Sequence, residues 1–222
     1  MAVQNARFTL NLVEQKRIRK ELTLARKLQR SLLPNRIKPP FPVVGTNVSA
    51  NEVSGDFYDY FELNDGTIGF FIGDVSGKGL DASMLMVRAS SLLRWIGKDK
   101  LPPGQWLAKA TKELCEQASR GIFVCAAVGY YDPKTDPATW SNAGLPPVIY
   151  KCPACQIESW RADAPPLGIK KSELSFDQQS ITLTQGGLYF LTDGLTDARN
   201  DAGERLELDG LIEHIKTVES DS

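Results

Sequence analysis

Apolar and polar positions change their period several times along the chain, and each change marks an element. Residues 8–33 lack Gly and Pro, and Ile18, Leu22, Ala25, Leu28 and Leu32 recur at steps of three and four. That spacing predicts a helix with one apolar stripe. The stripe would lie either on the helix's own domain or against a second chain as a short coiled coil. Pro34 ends the helix, and Pro39, Pro40 and Pro42 stiffen the connection that follows.

The pattern then turns to strands. Residues 44–50 and 56–63 read as strands, with Asn64-Asp65-Gly66 as the hairpin turn into a strand over 67–75. Residues 80–96 read as a helix carrying Leu85, Ala89, Leu92, Leu93 and Ile96, and 97–103 as a loop. Leu107, Ala110, Leu114 and Ala118 mark one face of a second helix. Strands return at 123–131, 139–142, 148–151, 156–161, 174–183 and 187–192. Leu208, Leu211, Ile212, Ile215 and Val218 mark a last helix. Hairpins and helices in separate groups, without regular βαβ alternation, predict an α+β fold of antiparallel sheets sandwiched by helices. The expected division is a linker helix over 1–36 and one globular domain over 43–222.

Composition narrows the function classes. The chain has 222 residues with 42% hydrophobic content, enough for one sizeable core and an appendage. Lys+Arg 26 nearly balances Asp+Glu 27, which gives no electrostatic case for nucleic acid or an anionic membrane. No apolar run approaches the roughly 20 residues that span a bilayer. Nothing at the N-terminus reads as a signal peptide, so the expected setting is cytoplasmic. Four cysteines in a chain of this length do not suggest a disulfide scaffold.

Several chemistries fail on spacing or supply. Gly73-Asp74-Val75-Ser76-Gly77-Lys78-Gly79 looks like a phosphate loop, but only three residues separate Gly73 from Gly77, and Gly79 stands where a Ser or Thr is needed. His214 is the sole histidine, so no Ser-His-Asp or Cys-His relay can be built, and it reads as a partly exposed helix residue. Cys152-Pro153-Ala154-Cys155 has zinc-ligand spacing, but no second pair completes four ligands, and a turn between two strands is the alternative.

Carboxylates beside glycines remain. Gly55-Asp56 opens one strand, Gly73-Asp74-Val75 closes the next, and Thr192-Asp193-Gly194 closes a third. Hairpin pairing would put Asp56 and Asp74 at the same open end. Oxygen donors without Cys or His select hard cations such as Mg²⁺ or Mn²⁺. A pair of such ions can acidify a bridging water and aim it at phosphorus. For any one of these acids, a turn or cap role is the alternative.

These residues resemble a known family. Residues 25–34, Val53-Ser54-Gly55-Asp56-Phe57-Tyr58-Asp59, Gly73 to Gly79, Asn142-Ala143-Gly144-Leu145-Pro146-Pro147, Pro166-Leu167-Gly168 and Thr192 to Arg199 are similar, in order, to the motifs of bacterial PPM-type (protein phosphatase 2C-like) serine/threonine phosphatases of the SpoIIE group. The chain departs from the pattern at Ser54, where Gly is usual, and in the loop over 142–147, where a His common there is absent. The resemblance implies α-β-β-α layers and two Mn²⁺ or Mg²⁺ ions. It implies that Asp74 bridges the ions, the Val75 carbonyl ligates one, Asp193 ligates the other, and Asp56 binds directly or through water. Asp56, Asp74 and Asp193 would then be the catalytic set, with a metal-bridged water as the attacking group. The implied substrate is phosphoserine or phosphothreonine on an anti-sigma-factor antagonist-type protein. An upstream sensor or receiver domain and a homodimer through residues 8–33 are the other implied partners.

The family's closing strand carries a further metal-binding Asp, and this sequence stops at Ser222 after the last helix without one. The expectation is a weakly held second metal and slow turnover. The alternative is a catalytically impaired regulatory or dimerisation module that binds a phosphoprotein without turnover.

Overall fold

The structure is a computed structural model. It describes residues 41–49, 54–77, 79–116, 121–152, 156–169, 174–183 and 185–217, together with Ala154 and part of 12–34. The stripe Ile18, Leu22, Ala25, Leu28 and Leu32, as well as Val53, Lys78, Ala118, Cys155 and Val218, lie outside the described residues. Every described residue between 12 and 31 is α-helical, as the absence of Gly and Pro there predicts.

Strands β1 (Phe57–Glu62) and β2 (Ile68–Val75) form the predicted hairpin, with Phe57 paired to Gly73 and Glu62 to Ile68. The turn closes through Leu63 N–H to the Thr67 carbonyl at 2.8 Å, and the Asp65 carboxylate accepts the Thr67 N–H at 2.9 Å. Two helices follow, α1 (Leu80–Gly97) and α2 (Pro103–Glu116). Then come β3 (Val124–Tyr131), β4 (Pro137–Ala143), β5 (Val148–Lys151), β6 (Ile157–Trp160), β7 (Gln179–Thr182) and β8 (Gly187–Tyr189). A single turn, α3 (Asp193–Thr196), precedes α4 (Glu207–Thr217).

The strands make two antiparallel sheets, one in the order β1-β2-β3-β4-β7 and one in the order β6-β5-β8. Helices α1 and α2 cover the outer face of the five-stranded sheet. Their apolar faces bury Met86, Leu93, Ile96, Trp106 and Leu107 against Phe57, Phe71 and Val128. The indole of Trp106 meets Phe61, Phe71 and Tyr130 edge-on or tilted at 5.2–6.4 Å between centroids. Helix α4 covers the smaller sheet, where Leu211 and Ile215 pack on Ile149. Lys151 holds its end there, its Nζ donating to the Ile215 carbonyl at 2.8 Å and the Lys216 carbonyl at 3.3 Å. Aromatic rings join the sheets, with Phe190 5.0 Å from Phe70 and Trp140 5.2 Å from Trp160. The layers are therefore helix, sheet, sheet, helix, as expected.

The strand expected over 44–50 does not form among the described residues. Side chains alternate, with Val44 and Val48 more than 80% exposed, but no strand ladder reaches the segment. It is tethered by side chains, Tyr58 Oη to the Gly45 carbonyl at 2.8 Å and Asn47 Nδ2 to the Asp56 carbonyl at 2.9 Å. Of the strand expected over 174–183 only Gln179–Thr182 pairs, and the strand expected to run to 192 stops at Tyr189. Phe190 leaves the ladder to fill the space between the sheets.

Candidate active site

The β1–β2 register builds one side of the site. Since Phe57 pairs with Gly73, Asp56 lies opposite Asp74. Gly55 lies over Asp74 and Val75, its carbonyl accepting the Val75 N–H at 3.2 Å. A Cβ at Gly55 would stand 2.6 Å from the Val75 carbonyl oxygen and 2.9 Å from Asp74 Oδ1. Only glycine lets the backbone pass so close to these two oxygens. Asp56 is held from behind: Ser54 Oγ donates to Asp56 Oδ2 at 3.1 Å and accepts the Asp56 N–H at 3.0 Å. Ser54 is gripped in turn by the buried Gln29 of the leading helix.

Beyond Val75 the chain is tied to the start of β3. Ser76 N–H donates to the Phe123 carbonyl at 2.9 Å and Ser76 Oγ accepts the Phe123 N–H at 2.8 Å. Gly79 then opens α1 at φ 86°, ψ −156°, a region that a side chain would strain.

Asp193 comes from the other sheet. It does not end a strand, as its sequence pattern suggests, but begins the one-turn helix α3. Its carbonyl accepts the Asp197 N–H at 2.8 Å and Thr196 Oγ1 at 3.0 Å, which fixes the turn. Asp197 pairs with Arg205, Oδ1 to Nη1 3.2 Å.

The three acids share one electrostatic field. Burial first, then the charges of Asp56 and Asp193, push the Asp74 carboxyl up to about 7. Asp193 is raised as well, by partial burial first, then by Asp197 and Asp56, against a lowering hydrogen bond from the Gly194 N–H. Cys125 faces Asp74 across β2 and β3, and burial, Asp74 and Asp193 push its thiol up to about 11. With no cation at the acids the thiol therefore stays protonated.

The residues fit a hard cation. Asp74, raised by burial and by the charges of Asp56 and Asp193, gains from positive charge beside it, and the close pass of Gly55 sets its backbone against Asp74 Oδ1 and the Val75 carbonyl. Among the described residues no three His, Cys, Asp or Glu side chains converge tightly enough to hold an ion alone. A site here draws on carbonyl and water oxygens too, as Mg²⁺ sites do.

Other candidate residues take different places. Asp59, in the same motif as Asp56, is buried on β1 and paired with Arg94 of α1, whose guanidinium also covers the Phe61 ring at 5.2 Å. Cys152 is a free thiol in the β5–β6 turn, closed by its own N–H to the Gln156 carbonyl at 3.0 Å. His214 is exposed on α4. Sequence reasoning missed Gln29, the Ser54 hydroxyl, Cys125 and Asp197 as neighbours of the acids. Only Asp197, four residues after Asp193, carried a local signal.

Two antiparallel sheets between helix layers, with acids gathered at one end, define a PP2C-like phosphatase fold. The chain belongs to the SpoIIE family: the profile of Stage II sporulation protein E (SpoIIE) matches residues 64–222. Among curated relatives, the phosphoserine phosphatase RsbP of Bacillus subtilis is 26% identical over 191 residues, covering 81% of this chain and 46% of RsbP. The phosphoserine phosphatase RsbU of the same organism is 25% identical over 205 residues, covering 90% of this chain and 61% of RsbU. The chain thus spans about half the length of these relatives. Of solved structures, the SiaA-PP2C domain of Pseudomonas aeruginosa superposes with a TM-score of 0.77 at 18% identity, covering 91% of this chain and 83% of that one. RsbX, solved in complex with magnesium, superposes at 0.61 with 14% identity, covering 79% of this chain and 78% of its own. Among the described residues no helix is long and apolar enough to cross a membrane.

Proposed function

We propose that the chain is a metal-dependent protein serine/threonine phosphatase, with residues 43–222 as the phosphatase domain and residues 1–36 as a linker helix. The observation that carries this reading is the gathering of Asp56 and Asp193 around the half-buried Asp74, where the Gly55 backbone passes close over Asp74 Oδ1 and the Val75 carbonyl. In it Asp74, Asp193, the Val75 carbonyl and Asp56, the last directly or through water, would hold Mn²⁺ or Mg²⁺. Bound there, the ions supply Lewis-acid charge and a water of lowered pKa. The chain's own residues position them. Ser54 orients Asp56, the β1–β2 register aligns Asp56 with Asp74, and α3 presents Asp193 from the opposite sheet. No protein nucleophile is required, in keeping with the exposed position of His214 and the protonated thiol of Cys125.

The naming of RsbP and RsbU as phosphoserine phosphatases supports phosphoserine as the substrate; phosphothreonine, and a partner protein of the anti-sigma-factor antagonist type, complete the proposal. An upstream sensor or receiver domain, a homodimer through residues 8–33 and a cytoplasmic setting belong to the same reading. Phosphate release from a phosphoserine peptide tests it. Release that requires Mn²⁺ and stops on chelation is expected. Release indifferent to metal, or none with Mn²⁺ in excess, contradicts it.

A further inference from the structure

Beside the acids a cleft of about 340 Å³ opens between the loop after β4 and the start of α4. That is within the size range of small-ligand and side-chain sites, roughly 300–1,000 Å³. Pro146 and Pro147 form one wall and Leu208 adds an apolar surface. The proline wall is fixed by the buried Asn142, whose Oδ1 accepts the Leu145 N–H at 3.1 Å and whose Nδ2 donates to the Pro146 carbonyl at 3.1 Å. The facing wall is Asp197, Arg205 and Glu207. Asp197 also contributes to the field at Asp193, so the cleft adjoins the carboxylate site.

The charges in the cleft are not equivalent. Arg205 is committed to Asp197. Glu207 makes no ion pair or side-chain hydrogen bond among the described residues. Its backbone stands at φ 53°, in the left-handed region that a side chain adopts rarely and glycine without strain. A carboxylate residue thus lines the cleft at a position where the backbone alone would favour glycine.

We infer that this cleft takes the polypeptide flanking the phosphoresidue of the substrate, and that Glu207 selects a lysine or arginine there. The inference rests on the phosphatase reading above and names the substrate class for that same site. A segment whose phosphate reaches Asp74 and Asp193 runs past Asp197, with its neighbours against Pro146, Pro147 and Leu208. A cationic neighbour meets the unpaired Glu207 carboxylate, and an anionic one is repelled by it. A small aryl phosphate does not extend into the cleft.

The test uses two phosphoserine peptides that differ only in carrying Lys or Glu on either side of the phosphoserine, with an aryl phosphate as reference and Mn²⁺ present. The full chain is expected to favour the Lys peptide by about fivefold in kcat/KM, the size of one partly exposed charge pair. The preference should sit in KM and shrink at high salt. Glu207→Gln and Glu207→Gly should both bring the ratio close to one, and glycine accepts the backbone conformation, so that variant keeps the fold. Aryl phosphate turnover with a peptide ratio near one, or a preference that survives both variants, overturns this inference alone. No turnover of any of the three substrates overturns the phosphatase reading with it.

Discussion

Gln29 holds Ser54 at two points, its Nε2 donating to the Ser54 carbonyl at 2.5 Å and its Oε1 accepting the Ser54 N–H at 3.0 Å. Ser54 Oγ in turn holds the Asp56 carboxylate. A residue of the leading helix is thereby linked through two hydrogen-bonded steps to an acid of the candidate metal site. Gln29→Ala leaves both backbone groups of Ser54 without this partner, at a cost of about 1–3 kcal/mol. The expected result is a lower thermal midpoint and weaker Mn²⁺ binding by calorimetry. Loss of stability with unchanged Mn²⁺ affinity would show that Asp56 does not depend on this clasp.

Gly55→Ala tests the close approach over the site. The new methyl group would meet the Val75 carbonyl and Asp74 Oδ1, both inside normal contact. Overpacking of this kind costs about 1–3 kcal/mol. Because the displaced oxygens are the candidate ligands, Mn²⁺ affinity should fall by about tenfold, the equivalent of about 1.4 kcal/mol. Titration of the variant against the parent reads this directly, and equal affinities would remove Val75 and Asp74 from the metal's surroundings.

The raised Asp74 carboxyl sets a pH dependence whose sign can be worked out. Its folded value is about 7, against 3.8 for the free group. Between these values the folded state holds more protons than the unfolded one, so stability without metal falls as pH rises from about 4 to about 7. Asp193, raised in the same direction, adds to this trend. Metal binding has the opposite sign, since it needs the ionised carboxylate: Mn²⁺ affinity should rise as pH rises through about 7. Thermal melts in chelator across this range check the first, and calorimetry checks the second. Asp74→Asn should flatten the stability curve.

In the core, Trp106 is fully buried among Phe61, Phe71 and Tyr130 under the five-stranded sheet. Trp106→Ala should cost about 3–5 kcal/mol in urea unfolding. A loss below about 1 kcal/mol, the level of a surface change, would contradict the packing described.

Local pattern made most of the fold legible. Asn64-Asp65-Gly66 announced the β1–β2 hairpin, and the 3.6-residue spacing of Leu107, Ala110 and Leu114 announced α2. The same reasoning failed at 44–49, where alternation is real but Tyr58 and Asn47 supply the tethers that a ladder would. It misjudged Asp193, because Phe190 leaves β8 to pack on Phe70 and Trp140 and so ends the strand early. Within the site, Asp56 and Asp74 could be paired from hairpin logic alone. Gln29 with Ser54, Asp59 with Arg94, and Asp74 with Cys125 could not, since each pair meets only across packed elements and leaves no trace in sequence spacing.

The central claim is that Asp74 organises a metal-dependent hydrolytic site. Mn²⁺-dependent hydrolysis of an aryl phosphate by the parent chain and by Asp74→Asn tests it most directly, with circular dichroism to verify the fold of both. The account predicts Mn²⁺-dependent turnover by the parent and a loss of at least about a hundredfold in the variant, matching removal of one preorganised electrostatic contact at a reacting centre. A folded Asp74→Asn variant that retains parental turnover would contradict it.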